Sequence, residues 1–403
     1  MAGGDDDSYR PATRLVAGGR TGGFAQDVVN PPVWRASTHL YATCADLRAR
    51  KSHNEDGQFF YGRRGAPTQW ALSEALTALE PGAAGTVLYP SGLAALVGAL
   101  LSVLRSGDVL LVADNAYDPT RNAVTGLLKS FGVEHRFFDP LDLDAYEAAF
   151  CERTRAVMLE VPGSLTMEIC DIPALARIAR EKGAVSLIDN TWATALGFPA
   201  LKHGCDIAIT ALTKHVGGHS DVMMGAASAG ERWYRRLRLG AQQLGHVVSP
   251  DDAALVLRGL RTMGVRLDRQ SATALAISEW LDARDDVAHV LSPMLPGTPG
   301  HAIWQRDFAG GCGLFSFVLK GGDDAARCRL IDALKLFGIG YSWGGFESLA
   351  LPFDVEPVRS VMDWPKDGWG VEDRHAIRLS IGLEDKADLI ADLDRAFAAL
   401  NEG

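Results

Sequence analysis

Between residues 68 and 210, short apolar runs alternate with segments of helical period. Residues 86–89, 109–112, 133–138, 156–160, 184–188 and 206–210 read as strands. Residues 68–79, 93–104, 119–130, 143–150 and 172–182 read as the helices that separate them. Strands this apolar are buried on both faces, and the intervening helices supply the cover that a mainly parallel sheet needs. Ligands on such sheets bind beyond the carboxyl ends of the strands. Residues that directly follow a strand are therefore the first candidates for function.

Four such positions stand out: Ser91-Gly92, Tyr117, Asp189 and Lys214. Ser91-Gly92 ends a strand and opens a helix, where free backbone amides attract a phosphate and glycine permits close approach. Arg63 and Arg64, in an aromatic and basic loop between glycines, could add charge-assisted bonds to that phosphate. Tyr117 is placed to lie flat on a ring. Asp189 closes an apolar strand, where a carboxylate could keep a ring nitrogen protonated. Lys214 precedes a Gly217-Gly218 bend, and partial desolvation there would make its amine a better nucleophile. Each residue also has an ordinary local role: a helix cap, a solvated arginine pair, a buried tyrosine, a turn-capping aspartate, a surface lysine. Taken together, an anion site, an acid for a ring nitrogen, a stacking aromatic and a desolvated lysine describe a pyridoxal phosphate site.

Rival constellations are weaker. His215 and His219 lie four apart near Asp221, but the glycines between them disfavour a rigid metal-binding helix. The chain has no Gly-x-Gly-x-x-Gly, no Walker phosphate loop and no Gly-x-Ser-x-Gly elbow, so nucleotide and serine-hydrolase readings lose their usual support. A net charge of −10 over 403 residues argues against nucleic-acid binding. The six scattered cysteines include no Cys-x-x-Cys pair and suit free thiols in a reducing compartment. The acidic N-terminus lacks signal-peptide order, and the apolar run 93–104 is too short to span a bilayer. A cytoplasmic protein without a membrane partner is expected.

Residues 1–65 lack the periodicity of an independent core and read as an arm lying on another domain or subunit. Residues 66–261 form the expected cofactor domain. Residues 262–403 form a smaller α/β domain, with strands at 313–319, 341–349 and 377–381 and helices at 325–337 and 386–400. Helices at 250–260 and 266–283 lead into it.

Long motifs then carry a resemblance. Tyr61-Gly62-Arg63-Arg64-Gly65, Ile188-Asp189-Asn190-Thr191-Trp192, Thr213-Lys214 with Gly218-His219-Ser220-Asp221, and Ser342-Trp343-Gly344-Gly345-Phe346-Glu347-Ser348-Leu349 resemble the cysteine/methionine-metabolism family of pyridoxal-phosphate enzymes. The likeness runs from Thr13 to Glu384 and looks most like the bacterial cystathionine β-lyases. It implies fold-type I, a PLP-dependent transferase-like architecture with a seven-stranded, mainly parallel sheet. It also implies a homotetramer of tight dimers. Position by position, Lys214 would carry the cofactor and move protons, Asp189 would pair with the pyridine nitrogen, and Tyr117 would stack on the ring. Ser91, Gly92, Leu93 and Thr213 would bind the phosphate. Tyr61 and Arg63 would reach a neighbouring subunit's site, with Tyr61 or Tyr117 orienting or deprotonating the incoming amine. Arg378 would grip the substrate carboxylate, with Ser342, Trp343 and Tyr341 beside it.

Two positions depart from the family pattern. His215 replaces a bulky aromatic after the lysine, and Leu212 replaces a small residue before Thr213. The implied reaction is β-elimination on L-cystathionine or related cysteine S-conjugates, giving homocysteine or another thiol, pyruvate and ammonia. The γ-lyases and synthases of the family commonly carry an acid and a leucine where this chain has Tyr341 and Trp343. A γ-lyase or O-acyl-homoserine sulfhydrylase is the alternative within the family; a non-catalytic cofactor-binding protein is the alternative outside it.

Overall fold

The computed structural model describes residues 9–20, 28–51, 56–354, 359–363 and 374–401. The acidic N-terminus and the Gly22-Gly23 pair of the expected arm lie outside the described residues. The chain divides into two compact units, residues 1–104 with 199–264 and residues 105–198 with 265–403. Twelve strands are formed among the described residues: β1 (Gly85–Tyr89), β2 (Val109–Ala113), β3 (Glu134–Phe138), β4 (Thr154–Glu160), β5 (Val185–Asp189), β6 (Ile207–Ala211), β7 (Gly225–Ala229), β8 (Val287–Leu291), β9 (Leu314–Leu319), β10 (Gly338–Ile339), β11 (Leu349–Phe353) and β12 (Ala376–Ser380). The first seven make a large mixed sheet and the last five a smaller one.

In the first unit, β7 runs antiparallel to both β1 and β6. Helix Pro67–Leu79 starts on proline, whose missing N–H costs nothing at a helix start, and buries Trp70, Ala71, Leu72, Ala75 and Leu79. Helix Gly92–Val103 is capped by Ser91, whose hydroxyl accepts from the Ala94 amide at 3.1 Å. Helix Pro250–Leu260 is capped in the same way by Ser249. These three were legible as helices because each combines a cap or proline start with a continuous apolar face.

The second unit holds β3, β2, β4 and β5, all paired in parallel. Every residue of β2 and of β5 is buried, as their unbroken apolar runs require. The smaller sheet has the order β10-β11-β12-β9-β8. Helix Lys386–Ala398 packs Leu389, Leu393, Ala396 and Phe397 into the core, with Phe397 6.0 Å from Phe317 between ring centroids.

Several expectations are corrected. Residues 341–348 are not strand: Ser342 and Gly344 have φ of +81° and +84°, which no strand residue adopts, and pairing begins only at Leu349. Side chains hold the segment instead. Gln270 donates to the Gly345 carbonyl at 2.6 Å, and Glu384 accepts from the Ser348 amide and hydroxyl at 2.8 Å each. The expected helix 119–130 is an α-helix, Asp118–Ala123, that continues as a π turn, Val124–Leu128. The helix expected at 325–337 stops at Ala333, after which Asp392 captures the amides of Lys335 and Leu336. Strand β7, strand β8 and helix Glu231–Gln243 had no counterpart in the sequence reading.

Candidate active site

Ser91, Gly92, Leu93, Thr213 and Lys214 lie in the first unit. β1 ends at Tyr89, and Ser91 turns the chain into helix Gly92–Val103. The Ser91 hydroxyl and carbonyl take the amides of Ala94 and Ala95, so the Gly92 and Leu93 amides stay outside the helical ladder. Glycine is required here. A Cβ on Gly92 would lie 2.6 Å from the Ala211 Cβ, and one on Gly225 would lie 2.3 Å from the Ser91 carbonyl oxygen. Thr213 completes this group: its hydroxyl meets the Met224 carbonyl at 3.2 Å and accepts from the Met224 amide at 3.0 Å.

Lys214 follows β6 in a tight turn. Its amide donates to Ala211, and the amides of Gly217 and Gly218 donate back to Leu212 and Lys214, at 2.8 Å each. Gly218 has φ +68°, and Gly259 packs so closely that a Cβ there would lie 2.1 Å from the Gly217 carbonyl. The two unusual neighbours, Leu212 and His215, are fully buried at 0% and 1% exposure, so they support the turn from inside. Lys214 itself keeps partial exposure.

The second unit holds the other set. Asp189 is the last residue of β5 and is buried; its Oδ1 accepts from the Thr191 amide at 3.0 Å and the Thr191 hydroxyl at 2.5 Å. Two donors on one oxygen favour the carboxylate form and fix its direction. Tyr117 precedes helix Asp118–Ala123, with its amide donating to Glu160 Oε2 at 2.7 Å. Burial pushes the Tyr117 phenol above its ordinary value, the charge of Asp189 adds to this, and Arg378 opposes it. A phenol held neutral in this way suits stacking and hydrogen-bond donation better than proton abstraction. Arg378, in β12, donates to the Ser342 carbonyl at 2.9 Å. Burial lowers its guanidinium to about 10, against the pull of Tyr117 and Tyr341. Tyr341 is exposed and Trp343 half-buried.

Tyr61 bridges Thr38 and is 45% exposed, while Arg63 donates to the Gln242 carbonyl at 2.7 Å. The loop is fixed by Gly62, whose Cβ would meet the Ala36 carbonyl at 2.2 Å, and by Arg64 over the Phe60 ring.

Glu160 was missed. It ends β4 directly in register with Asp189 on β5, a second acid closing an apolar strand, and that pattern was available in the sequence. Each set has its own chemistry. Helix-terminal amides beside glycine take a phosphate, and an oriented buried carboxylate takes a ring nitrogen.

Comparison with known proteins identifies the family. A family profile described as "Cys/Met metabolism PLP-dependent enzyme" matches residues 12–398. A putative cystathionine beta-lyase of Rhizobium johnstonii is 47% identical over 92% of this chain and 91% of its own length. The cystathionine beta-lyase MetC of Escherichia coli is 40% identical over 96% of this chain and 98% of its own. The crystal structure of metB from Corynebacterium glutamicum superposes with a TM-score of 0.87 at 29% identity, covering 98% of this chain and 99% of that one. The chain belongs to the Cys/Met-metabolism family of pyridoxal-phosphate-dependent enzymes.

Proposed function

We propose that this chain is a carbon–sulfur lyase that catalyses β-elimination on L-cystathionine or related cysteine S-conjugates. The products are homocysteine or another thiol, pyruvate and ammonia. The observation that carries the choice of β- over γ-chemistry is the segment around Ser342. Tyr341 and Trp343 stand there in place of the acid and leucine common in γ-acting members, and the Tyr341 phenol lies within electrostatic reach of Arg378.

When bound, pyridoxal phosphate supplies the electron sink for charge developing at the substrate α-carbon. The chain's own residues do the rest. Gly92 and Leu93 amides, with Ser91 and Thr213, hold the phosphate. Asp189, oriented by Thr191, accepts a hydrogen bond from the ring nitrogen. Tyr117 stacks on the ring and orients the amine. Arg378 binds the substrate carboxylate in a geometry set by Ser342. Lys214 carries the cofactor and then takes the α-proton. Tyr61 and Arg63 serve a neighbouring subunit in a homotetramer. Exposed apolar side chains in the same region, among them Val29, Trp34 and Leu40, support an arm that covers another chain. In this reading residues 1–65 are the arm, 66–261 the cofactor domain and 262–403 the C-terminal domain. None of the described helices is long and apolar enough to cross a membrane, and we place the enzyme in the cytoplasm.

Product analysis tests the reading. Cystathionine should give homocysteine and pyruvate; cysteine with 2-oxobutyrate would overturn it. Lys214→Ala should retain cofactor non-covalently and lose turnover, and appreciable steady-state activity in that variant would remove Lys214 from its assigned role.

A further inference from the structure

Glu160 and Asp189 end adjacent parallel strands as register partners, so their side chains leave the same face of the sheet about 4.8 Å apart. Asp189 is committed as an acceptor by the two Thr191 donors. Glu160 accepts the Tyr117 amide at 2.7 Å through Oε2. One carboxyl thus touches the backbone of the stacking tyrosine and lies on the same face as the ring-nitrogen aspartate, within its electrostatic reach. We propose that Glu160 is a positioning residue that works as a neutral carboxylic acid, anchoring the Tyr117 turn while adding no second negative charge beside Asp189. This rests on the site roles proposed above.

The surroundings favour the neutral form. Glu160 is half-buried at the end of β4. That burial pushes it well above the usual carboxylate range, and the charges of Asp189 and Glu168 push the same way. The Tyr117 amide and the Arg359 guanidinium pull it back. Arg359 is itself engaged elsewhere, donating to the Ser164 carbonyl at 2.7 Å and the Thr166 hydroxyl at 2.8 Å. A second negative charge on the same face beside Asp189 is disfavoured. Asp189, with two donors on one oxygen, is the better holder of the charge.

The chemistry predicts how substitutions behave. Glutamine keeps the acceptor for Tyr117 and offers N–H groups to Asp189, so Glu160→Gln preserves what a neutral acid does. Methionine keeps the bulk and loses both. In the wild-type protein the folded state holds a proton at Glu160 that the unfolded chain releases above its ordinary value near 4.5. Folding therefore becomes less favourable, relative to Glu160→Gln, as pH rises from there towards the raised folded value.

The test uses the cofactor-free full-length protein first, in urea denaturation from pH 4 to 8. Wild type and Glu160→Gln should respond alike to pH near 4. Above about 5 the folded-to-unfolded ratio of Glu160→Gln should gain on wild type by up to about tenfold per pH unit. Glu160→Met should show the same gain, which keeps the test open if one variant folds poorly. A constant difference across this range, or a wild type that gains with pH, would overturn the proposal. Pyridoxal phosphate titration then reads positioning: Glu160→Gln should bind within about threefold of wild type, and Glu160→Met should bind at least tenfold more weakly with altered visible dichroism. Equal binding by both variants would overturn the anchoring role. Failure of wild type itself to bind pyridoxal phosphate would instead overturn the site reading, leaving the cofactor-free result intact.

Discussion

Replacing Gly92 with alanine sets two effects of opposite sign against each other. Alanine is favoured over glycine within a helix by about 0.8–1.0 kcal/mol, and less at a first helical position. Against this, the new Cβ would lie 2.6 Å from the Ala211 Cβ and 3.3 Å from its Cα. Carbon atoms pack best at about 3.5–4.0 Å, so the turn or the end of β6 must move by roughly 1 Å. Overpacking of this kind costs about 1–3 kcal/mol. The steric cost wins, with a net loss of about 1–2 kcal/mol in the cofactor-free protein. Cofactor binding should suffer more, because the same shift displaces the Gly92 and Leu93 amides. Loss of one hydrogen bond to a charged phosphate costs about 1.5–3 kcal/mol, or roughly tenfold to hundredfold in affinity. Urea denaturation of the cofactor-free protein and spectrophotometric titration with pyridoxal phosphate measure the two quantities separately. Ala211→Gly, added to Gly92→Ala, removes the nearest clashing atom and should recover most of both losses. Wild-type cofactor affinity in Gly92→Ala, or no recovery in the double variant, would refute the reasoning.

Two further outcomes are expected. Asp114 is fully buried, ion-paired with Arg121 at 2.7 Å, and accepts the amides of Ser360, Val361 and Met362. Burial alone would raise its pKa, but the Ser360 hydroxyl and these amides reverse that and hold it at about 2, below the ordinary 3.8. Its contribution, about 2 kcal/mol, is therefore present above pH 4 and lost as pH falls through about 2. Asp114→Asn should cost about 3–5 kcal/mol at pH 7 by leaving Arg121 uncompensated, and denaturation curves with a flat difference from pH 7 to 2 would contradict this. Arg378→Lys keeps the charge but loses the planar pair of donors, so KM for cystathionine should rise about tenfold or more; an unchanged KM would remove Arg378 from carboxylate binding.

What could be read from the sequence followed from physical periodicity. β2 and β5 announced themselves as unbroken apolar runs because both faces are buried. Lys214, Asp189, Tyr117 and Ser91 were singled out because each follows or closes such a run. β7 escaped notice because Gly-Ala-Ala-Ser-Ala has no β-branched or aromatic residue, although burial beside the Ser91 turn demands that smallness. Helix Glu231–Gln243 escaped because it buries only Trp233, Leu237 and Ala241, a file one residue wide on a strongly basic helix. The segment from Tyr341 to Ser348 looked like strand because it is aromatic. Its true shape depends on the +81° φ of Ser342 and on contacts with Gln270 and Glu384, distant in sequence. Glu160 was overlooked because its meaning lies in register with Asp189, which no single strand reveals.

The antiparallel return of β7 onto β6 has a consequence for how the protein reaches its native state. Residues 212–224 form one short connection whose ends are tied at once by ladder bonds and by the Thr213–Met224 exchange. Closing such a loop costs little chain entropy, whereas pairing β5 with β4 must first bring a helical crossover into place. The lysine turn belongs to the most local part of the large sheet. Its amides should therefore gain protection from hydrogen exchange before those of β5, the strand that ends at Asp189.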